Sequence, residues 1–295
     1  MKIKAIIPAA GYGTRMLPFA KSVPKEMLPL VNKPVIQYVV EEALEAGIEE
    51  ILIVLSEGKE AIKEHFSSNK KLEKLFADRS LPPELAALKK ISNTAKIEYI
   101  YQSQPRGLGD AVKIAADFAG DSPVAILLGD TVMETPVTKM LVDKYLENGN
   151  CSSIALEKVP PEKISRYGIA GGTEIGENCW KLDALVEKPS IADAPGDLAV
   201  AARYLLNPGI FRELSESKPG LNGEIQLTDA IGRLLKKETV FGYKISGRRF
   251  DAGTPAGFIM TNVELGLQNP EYAEILKEKL RKILDRTEKT TNQTN

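Results

Sequence analysis

Four short, apolar-rich runs, at residues 3–7, 48–56, 96–102 and 124–128, are separated by segments with helical periodicity. In the first of these segments Pro34 opens a helix that places Ile36, Val39, Val40, Ala43 and Leu44 on one face, and Gly47 follows as its C-cap. GKEAIKEHF and GDAVKIAADFAG read as the next two helices, the second ending at Gly120. Strands apolar on both faces and interleaved with helices predict an α/β fold: a Rossmann-like, mostly parallel sheet flanked by helices. In such sheets ligands sit beyond the carboxyl ends of the strands. The loop at Gly11, the segment from Gln102 to Gly109, and Asp130 all follow strand ends.

From residue 152 the pattern turns β-rich, with SSIALEKV, a YGIAGG turn, WKLDALVEKP, LAVAARYLLN and TVFGYKISG as strands. NGEIQLTDAIGRLLKKE (222–238) reads as a helix with Leu227, Ala230, Ile231, Leu234 and Leu235 on one face. A charged insert at 67–95 reads as surface, and the polar tail TEKTTNQTN as frayed. With no repeat and no flexible linker, the expectation is a single domain over 1–295. It comprises residues 1–150, an appended β-rich portion at 151–254, and C-terminal helices with the tail at 255–295.

Composition narrows the chemistry. His65 is the only histidine, which excludes a His-rich zinc site and any mechanism needing two imidazoles; its charged surroundings read as a solvated helix. Cys151 and Cys179 make neither a C-x-x-C pair nor a disulfide framework and read as small core or half-buried residues. A formal net charge of −1 argues against a nucleic-acid partner. No run approaches the roughly 18 apolar residues of a membrane span. Reduced cysteines and the absence of a signal-like leader suggest a cytoplasmic location.

The segment Ala9-Ala10-Gly11-Tyr12-Gly13-Thr14-Arg15 is a strand-end glycine loop whose exposed N–H groups can cradle an anion. The residue three beyond Gly13 is Met16, so it is not a dinucleotide fingerprint, and no Walker A loop occurs. A plain tight turn remains open, but Arg15, Lys21 and Lys25 lie in the same Pro-bounded segment, and three cations beside such a nest suit a triphosphate. Asp130 and Asp251 each stand beside a turn glycine and read either as turn formers or as ligands of a hard cation such as Mg²⁺. Glu187-Lys188-Pro189 reads either as a charged strand exit or as a carboxylate for sugar hydroxyls beside an ammonium for a sugar phosphate.

Taken together, PAAGYGTRMLP (8–18), KSVPKEMLPLVNKPVIQYVVEEALEAGI (21–48), QPRGLGDAV (104–112), LLGD (127–130), YGI (167–169), VEKP (186–189), GEIQLTDAI (223–231) and FDAGTPAGF (250–258) resemble the sugar nucleotidyltransferases. The uridylyltransferase branch, which joins UTP to glucose 1-phosphate, is the nearer likeness, and the insert at 67–95 points the same way. Asp110 stands where close relatives often carry His, and DAGTPAG is shared in part with other branches. The resemblance implies a nucleotidyltransferase-type fold and uridine held by Ala10, Gly11, Glu26, Gln102 and Gly107. Gly13, Thr14, Arg15 and Lys25 would meet the triphosphate, and Asp130 and Asp251 would ligate Mg²⁺. Gly168, Glu187 and Lys188 would bind glucose 1-phosphate, with Arg15, Lys25 and Lys188 the catalytic cations.

The implied reaction is in-line attack of the sugar phosphate on the α-phosphate of UTP, releasing UDP-glucose and pyrophosphate. The implied assembly is a homodimer or homotetramer. Two alternatives stand beside this reading: a thymidylyltransferase or other sugar-1-phosphate nucleotidyltransferase, and a non-catalytic regulatory chain of the same fold.

Overall fold

The computed structural model describes residues 2–76, 80–220 and 223–293. In the first half β1 (Lys4–Pro8), β4 (Glu50–Leu55), β5 (Lys96–Tyr101) and β6 (Val124–Leu127) follow the four apolar runs, while β2 (Pro29–Leu30) and β3 (Lys33–Pro34) form a separate two-stranded ribbon. The intervening helices are α1 (Val35–Glu45), α2 (Glu60–Phe66), α3 (Lys70–Leu75), α4 (Pro83–Thr94), α5 (Leu108–Lys113) and α6 (Ala116–Ala119). Gly47 and Gly120 adopt positive φ after α1 and α6, where the expected caps fall. Ile114 and Ala115 separate α5 from α6, so GDAVKIAADFAG makes two short helices rather than one. The charged insert is built on α3 and α4, and residues 77–79 lie outside the described residues.

The second half contributes β7 (Thr131–Met133), α7 (Val137–Glu147), β8 (Ser152–Lys158), β9 (Gly168–Gly176), β10 (Cys179–Glu187) and β11 (Leu198–Leu206). They are followed by α8 (Gly209–Ser215), α9 (Leu227–Leu234), β12 (Val240–Lys244), β13 (Arg249–Asp251), α10 (Pro255–Gln268) and α11 (Ala273–Gln293). One nine-stranded sheet runs β5-β4-β1-β6-β11-β8-β12-β10-β9. The neighbours β5, β4, β1 and β6 are parallel, so their carboxyl ends share one edge. β11 enters antiparallel beside β6 and carries the β-rich portion into the same sheet.

Alternate residues of β1 and β6 face opposite helical layers. Ile6, Val124 and Ile126 pack with Ala111, Val112, Leu227 and Ile231, while Ala5, Ile7, Ala125 and Leu127 pack with Ile36, Val40, Ile62 and Leu141. This is the three-layer arrangement that buried parallel strands require.

β11 is interrupted by a bulge between Val200 and Tyr204, where Ala202 takes φ 59°. Next to it Arg203, fully buried, makes a bidentate pair with Glu42 of α1 (Nη2–Oε2 2.7 Å) and donates to the Thr131 carbonyl at 2.8 Å. A guanidinium so placed satisfies backbone oxygens just behind the β6 exit.

α9 begins at Leu227 rather than 222, because Ile225 uses its N–H and C=O on Arg106 and Gly109 instead of on a helical turn; residues 221–222 lie outside the described residues. The tail to Gln293 continues α11 rather than fraying, with Lys277–Glu274 and Lys282–Glu278 pairs at helical spacing along the same helix. His65 is half-buried rather than solvated: its Nε2 lies 2.9 Å from Oε1 of buried Gln37, and burial lowers its pKa. Cys151 and Cys179 are free and half-buried, as expected. Among the described residues no helix is long and apolar enough to cross a membrane.

Candidate active site

The parallel strand exits are stitched together by backbone bonds. Ala9 N–H donates to Val54 (2.8 Å), Gln102 N–H to Leu55 (2.7 Å) and Gly129 N–H to Pro8 (3.2 Å). These bonds seat the three loops read from the sequence side by side. Ala10 is buried, while Gly11 is exposed with no atom within 4 Å of where a Cβ would stand. Gly13 takes φ 64°, which a side chain would resist, and turns the chain into the 3₁₀ turn Thr14–Met16. Met16 anchors that turn among Leu28, Val132, Phe250 and Ala252, leaving Thr14 and Arg15 exposed. Lys21 is likewise exposed.

Lys25, in the 3₁₀ turn Lys25–Met27, is ion-paired with Asp130. Burial opposes ionisation of Asp130, but Lys25, the Thr131 hydroxyl and Arg15 hold its carboxyl below the usual range. Burial also works against the charge of Lys25, yet Asp130 and Glu26 outweigh it and raise its pKa. Asp251 reaches the same place through pairing of β13 with β7, opposite Thr131. A Cβ built on Gly253 would lie 3.0 Å from Asp251 Oδ1, 3.1 Å from Asp130 Oδ2 and 3.5 Å from Arg15 Nη2. Two carboxylates and a guanidinium thus converge on Gly253, where a side chain would fit only if the carboxylates gave way.

The two carboxylates are hard oxygen donors and suit Mg²⁺, which takes one or two carboxylates and completes its shell with water and phosphate oxygens. Among the described residues no group of three or more His, Cys, Asp or Glu could hold a metal, so any cation here depends on such outside oxygens.

Glu26 is buried, and both its oxygens accept from Lys59 Nζ, at 2.8 and 2.9 Å; Lys59 also donates to the Ala9 carbonyl. Burial raises the Glu26 pKa and lowers that of Lys59, each partly offset by the other. Both oxygens of Glu26 therefore face Lys59, beneath the glycine loop. Sequence reasoning missed Lys59, because GKEAIKEHF reads as a solvated helix and only the bend at Gly58 (φ 84°) turns this lysine inward.

Gln102 is buried, and its Nε2 donates to Asp110 Oδ2 (2.7 Å) and to the Gly107 carbonyl (3.4 Å). Gly107 takes φ 98° and its Cβ would meet the Ile225 carbonyl at 2.7 Å, so both its conformation and its neighbour demand glycine.

At the other end of the site Gly168 pairs with Glu187 across β9 and β10. Strand alternation would send Lys188 to the opposite face from Glu187. Instead Lys188 takes φ 45°, its N–H bonds to the Tyr167 carbonyl at 3.0 Å, and its Nζ lies 3.1 Å from Glu187 Oε1. Thr228 donates to Glu187 Oε2 at 2.6 Å and would touch a Cβ on Gly168 at 3.1 Å. Thr228 also escaped the sequence reading; its signal lay in the QLTD segment.

Residues 224–228 join the two ends. Ile225 bonds the backbone of Arg106 (2.7 Å) and Gly109 (2.8 Å), and Thr228 holds Glu187. The structure thus gathers one group around Gly253, a second around Gln102 and Gly107, and a third around Gly168, Glu187 and Lys188.

A family model described as nucleotidyl transferase matches residues 4–266. UTP–glucose-1-phosphate uridylyltransferase of Bacillus subtilis is 45% identical over 287 residues, covering 97% of this chain and 98% of that protein. A UDP-glucose pyrophosphorylase crystallised with UDP-glucose superposes with a TM-score of 0.82 at 38% identity, over 91% of this chain and all of that one. The UTP-bound enzyme of Acinetobacter baumannii gives 0.84 at 33% identity, over 95% and 99%. On sequence, fold and the order of its site loops, the chain belongs to the nucleotidyl transferase family, alongside its UTP–glucose-1-phosphate uridylyltransferases.

Proposed function

We propose that this protein converts UTP and glucose 1-phosphate to UDP-glucose and pyrophosphate, with Mg²⁺ held by Asp130 and Asp251. The observation that carries the reading is the convergence of Arg15, Asp130 and Asp251 on Gly253, with Lys25 paired to Asp130, beneath a glycine loop. Gln102 and Gly107 lie at the next strand end and would take the uracil; Ala10, Gly11, Gly13 and Thr14 would border the nucleotide.

Gly168, Glu187 and Lys188 would receive glucose 1-phosphate, the carboxylate taking sugar hydroxyls and the ammonium the phosphate. An oxygen of that phosphate attacks the α-phosphorus of UTP in line, and the bond from the α-phosphorus to the bridging oxygen of pyrophosphate breaks. The nucleophile is already an anion and the leaving group is stabilised by positive charge, so no side chain has to move a proton. Arg15 and Lys25 offset charge on the phosphates, and Lys188 holds the attacking group in place. Bound Mg²⁺ would supply further charge neutralisation on the phosphate oxygens.

The same reading places the enzyme in the cytoplasm as a homodimer or homotetramer. Exposed Ile259, Met260, Ile275, Ile283 and Leu284 on the two C-terminal helices support an interface there.

Pyrophosphate release, measured over a panel of nucleoside triphosphates and sugar 1-phosphates, tests the proposal. UTP with glucose 1-phosphate is expected to give the highest kcat/KM. Preference for dTTP would move the chain to the thymidylyl branch, and no release with any pair would sink the enzymatic reading. Lys188→Ala is expected to raise KM for glucose 1-phosphate about tenfold to a hundredfold, the worth of one charge-assisted phosphate contact, and to leave KM for UTP within about twofold. An unchanged glucose 1-phosphate KM would remove Lys188 from that role.

A further inference from the structure

We infer that Asp110 is a positioning residue for base selection: it locks the Gln102 amide so that only the carbonyl oxygen faces the ligand. The inference rests on the proposed assignment of the Gln102 loop to the base.

Gln102 is 6% exposed and Asp110 2%, so neither side chain can turn to water to satisfy itself. Gln102 Nε2 lies 2.7 Å from Asp110 Oδ2 and 3.4 Å from the Gly107 carbonyl oxygen. Both inner neighbours are acceptors that carry no hydrogen to give. Turning the amide over would set Oε1 against a carboxylate and a carbonyl, an arrangement with no hydrogen bond at all. Arg106 closes the arrangement from outside, its Nη2 3.0 Å from Asp110 Oδ1, so each oxygen of Asp110 has its own donor. The scaffold around them is stiff: Ile225 holds the Arg106 carbonyl and the Gly109 N–H, and α5 begins at Leu108.

The chemical consequence is one of sign. An amide free to turn can serve as donor or acceptor and accept any pyrimidine. With both Nε2 hydrogens directed inward, Gln102 offers the base an acceptor only. Uracil presents an N–H at its N3 position, whereas cytosine presents a lone pair there. A fixed Oε1 therefore bonds the first and opposes the second. Discrimination of this kind is large, because the wrong base leaves two buried acceptors face to face. The same geometry makes no distinction between uracil and thymine, which share that edge.

The test uses the full-length protein and measures kcat/KM for UTP and CTP by pyrophosphate release with glucose 1-phosphate. Asp110→Ala is expected to lower the UTP-to-CTP ratio at least about tenfold, mainly through a higher KM for UTP, with KM for glucose 1-phosphate little moved. Asp110→Asn, which keeps one acceptor oxygen, is expected to fall between Asp110→Ala and the parent.

In a Gln102→Ala background the Asp110→Ala change is expected to leave the ratio unaltered, because the carboxylate acts through that amide. A ratio unchanged in Asp110→Ala, or one that falls equally in the Gln102→Ala background, would overturn the inference. A variant that melts well below the parent is replaced in the comparison by Asp110→Asn, whose ratio then decides alone. If the parent protein releases no pyrophosphate from UTP, the functional reading itself fails, which is a different result from active variants with unchanged selectivity.

Discussion

Replacing Asp130 by Asn is expected to reduce kcat with UTP and glucose 1-phosphate about a thousandfold or more, roughly 4 kcal/mol of transition-state stabilisation. The substitution keeps the shape of the side chain and removes its charge. Asp130 is one of the two carboxylates that meet at Gly253, and its carboxyl is held below the usual range by Lys25, against the pull of burial, so it is ionised throughout the neutral range. An amide there is a weak ligand for Mg²⁺, and two cations, Lys25 and Arg15, lose their shared counter-charge. Folding is expected to suffer far less than turnover, because Lys25 also faces Glu26 and the Asp130 side chain is 19% exposed. Steady-state turnover and thermal unfolding on the same preparation separate the two. Turnover within tenfold of the parent at millimolar Mg²⁺ would discard the metal assignment. A collapse of turnover with a near-parent Tm would support it.

The parts of this site that follow a strand were legible because a strand exit is a local event. A buried apolar run, a glycine and a charged residue occur within ten positions, as in the loop from Ala9 to Arg15 or at Gly129-Asp130. What joins those exits was not legible, because it comes from residues far apart in the chain. β13 carries Asp251 to Asp130 by pairing with β7, and nothing in FDAGTP specifies that partner.

The β-rich half reads locally as a set of strands, yet it enters the sheet through antiparallel pairing of β11 with β6, beside a bulge where buried Arg203 reaches across to Glu42. Lys188 shows a third kind of concealment. Strand periodicity assigns it to the wrong face, and only its left-handed backbone puts it beside Glu187. Asp110 was visible as an oddity in the loop, but the amide it accepts from lies eight residues away and its pairing is seen only in the folded chain.

Lys59→Met is expected to destabilise the protein by about 3–5 kcal/mol, the usual consequence of leaving one member of a buried ion pair unpartnered. For a chain of this size that corresponds to a Tm lower by roughly 5–8 °C. Lys59 is the only cation on both oxygens of Glu26 among the described contacts, and it also caps the Ala9 carbonyl at the root of the glycine loop. Methionine fills the same space and provides no donor, so the loss is electrostatic rather than a cavity.

The pH dependence gives the sign. Burial already raises the Glu26 pKa in the folded parent, and without Lys59 it rises further. An acid whose folded pKa is raised binds more protons folded than unfolded. Its contribution is fully present below the unfolded carboxylate range and is lost as pH climbs through the folded value. The deficit of Lys59→Met relative to the parent is therefore expected to be largest at neutral pH and to shrink on acidification toward the ordinary carboxylate range.

A second substitution, Glu26→Gln, removes the stranded charge and should restore much of the lost Tm, while activity stays low because the Ala9 carbonyl is still uncapped and the loop above it loosened. Differential scanning calorimetry between about pH 5 and 8 on the parent and the two variants reads both effects. A Tm for Lys59→Met equal to the parent at neutral pH would mean that Glu26 is folded in its neutral form and that the pair holds nothing in place. A deficit that grows on acidification would reverse the assigned direction of the Glu26 shift.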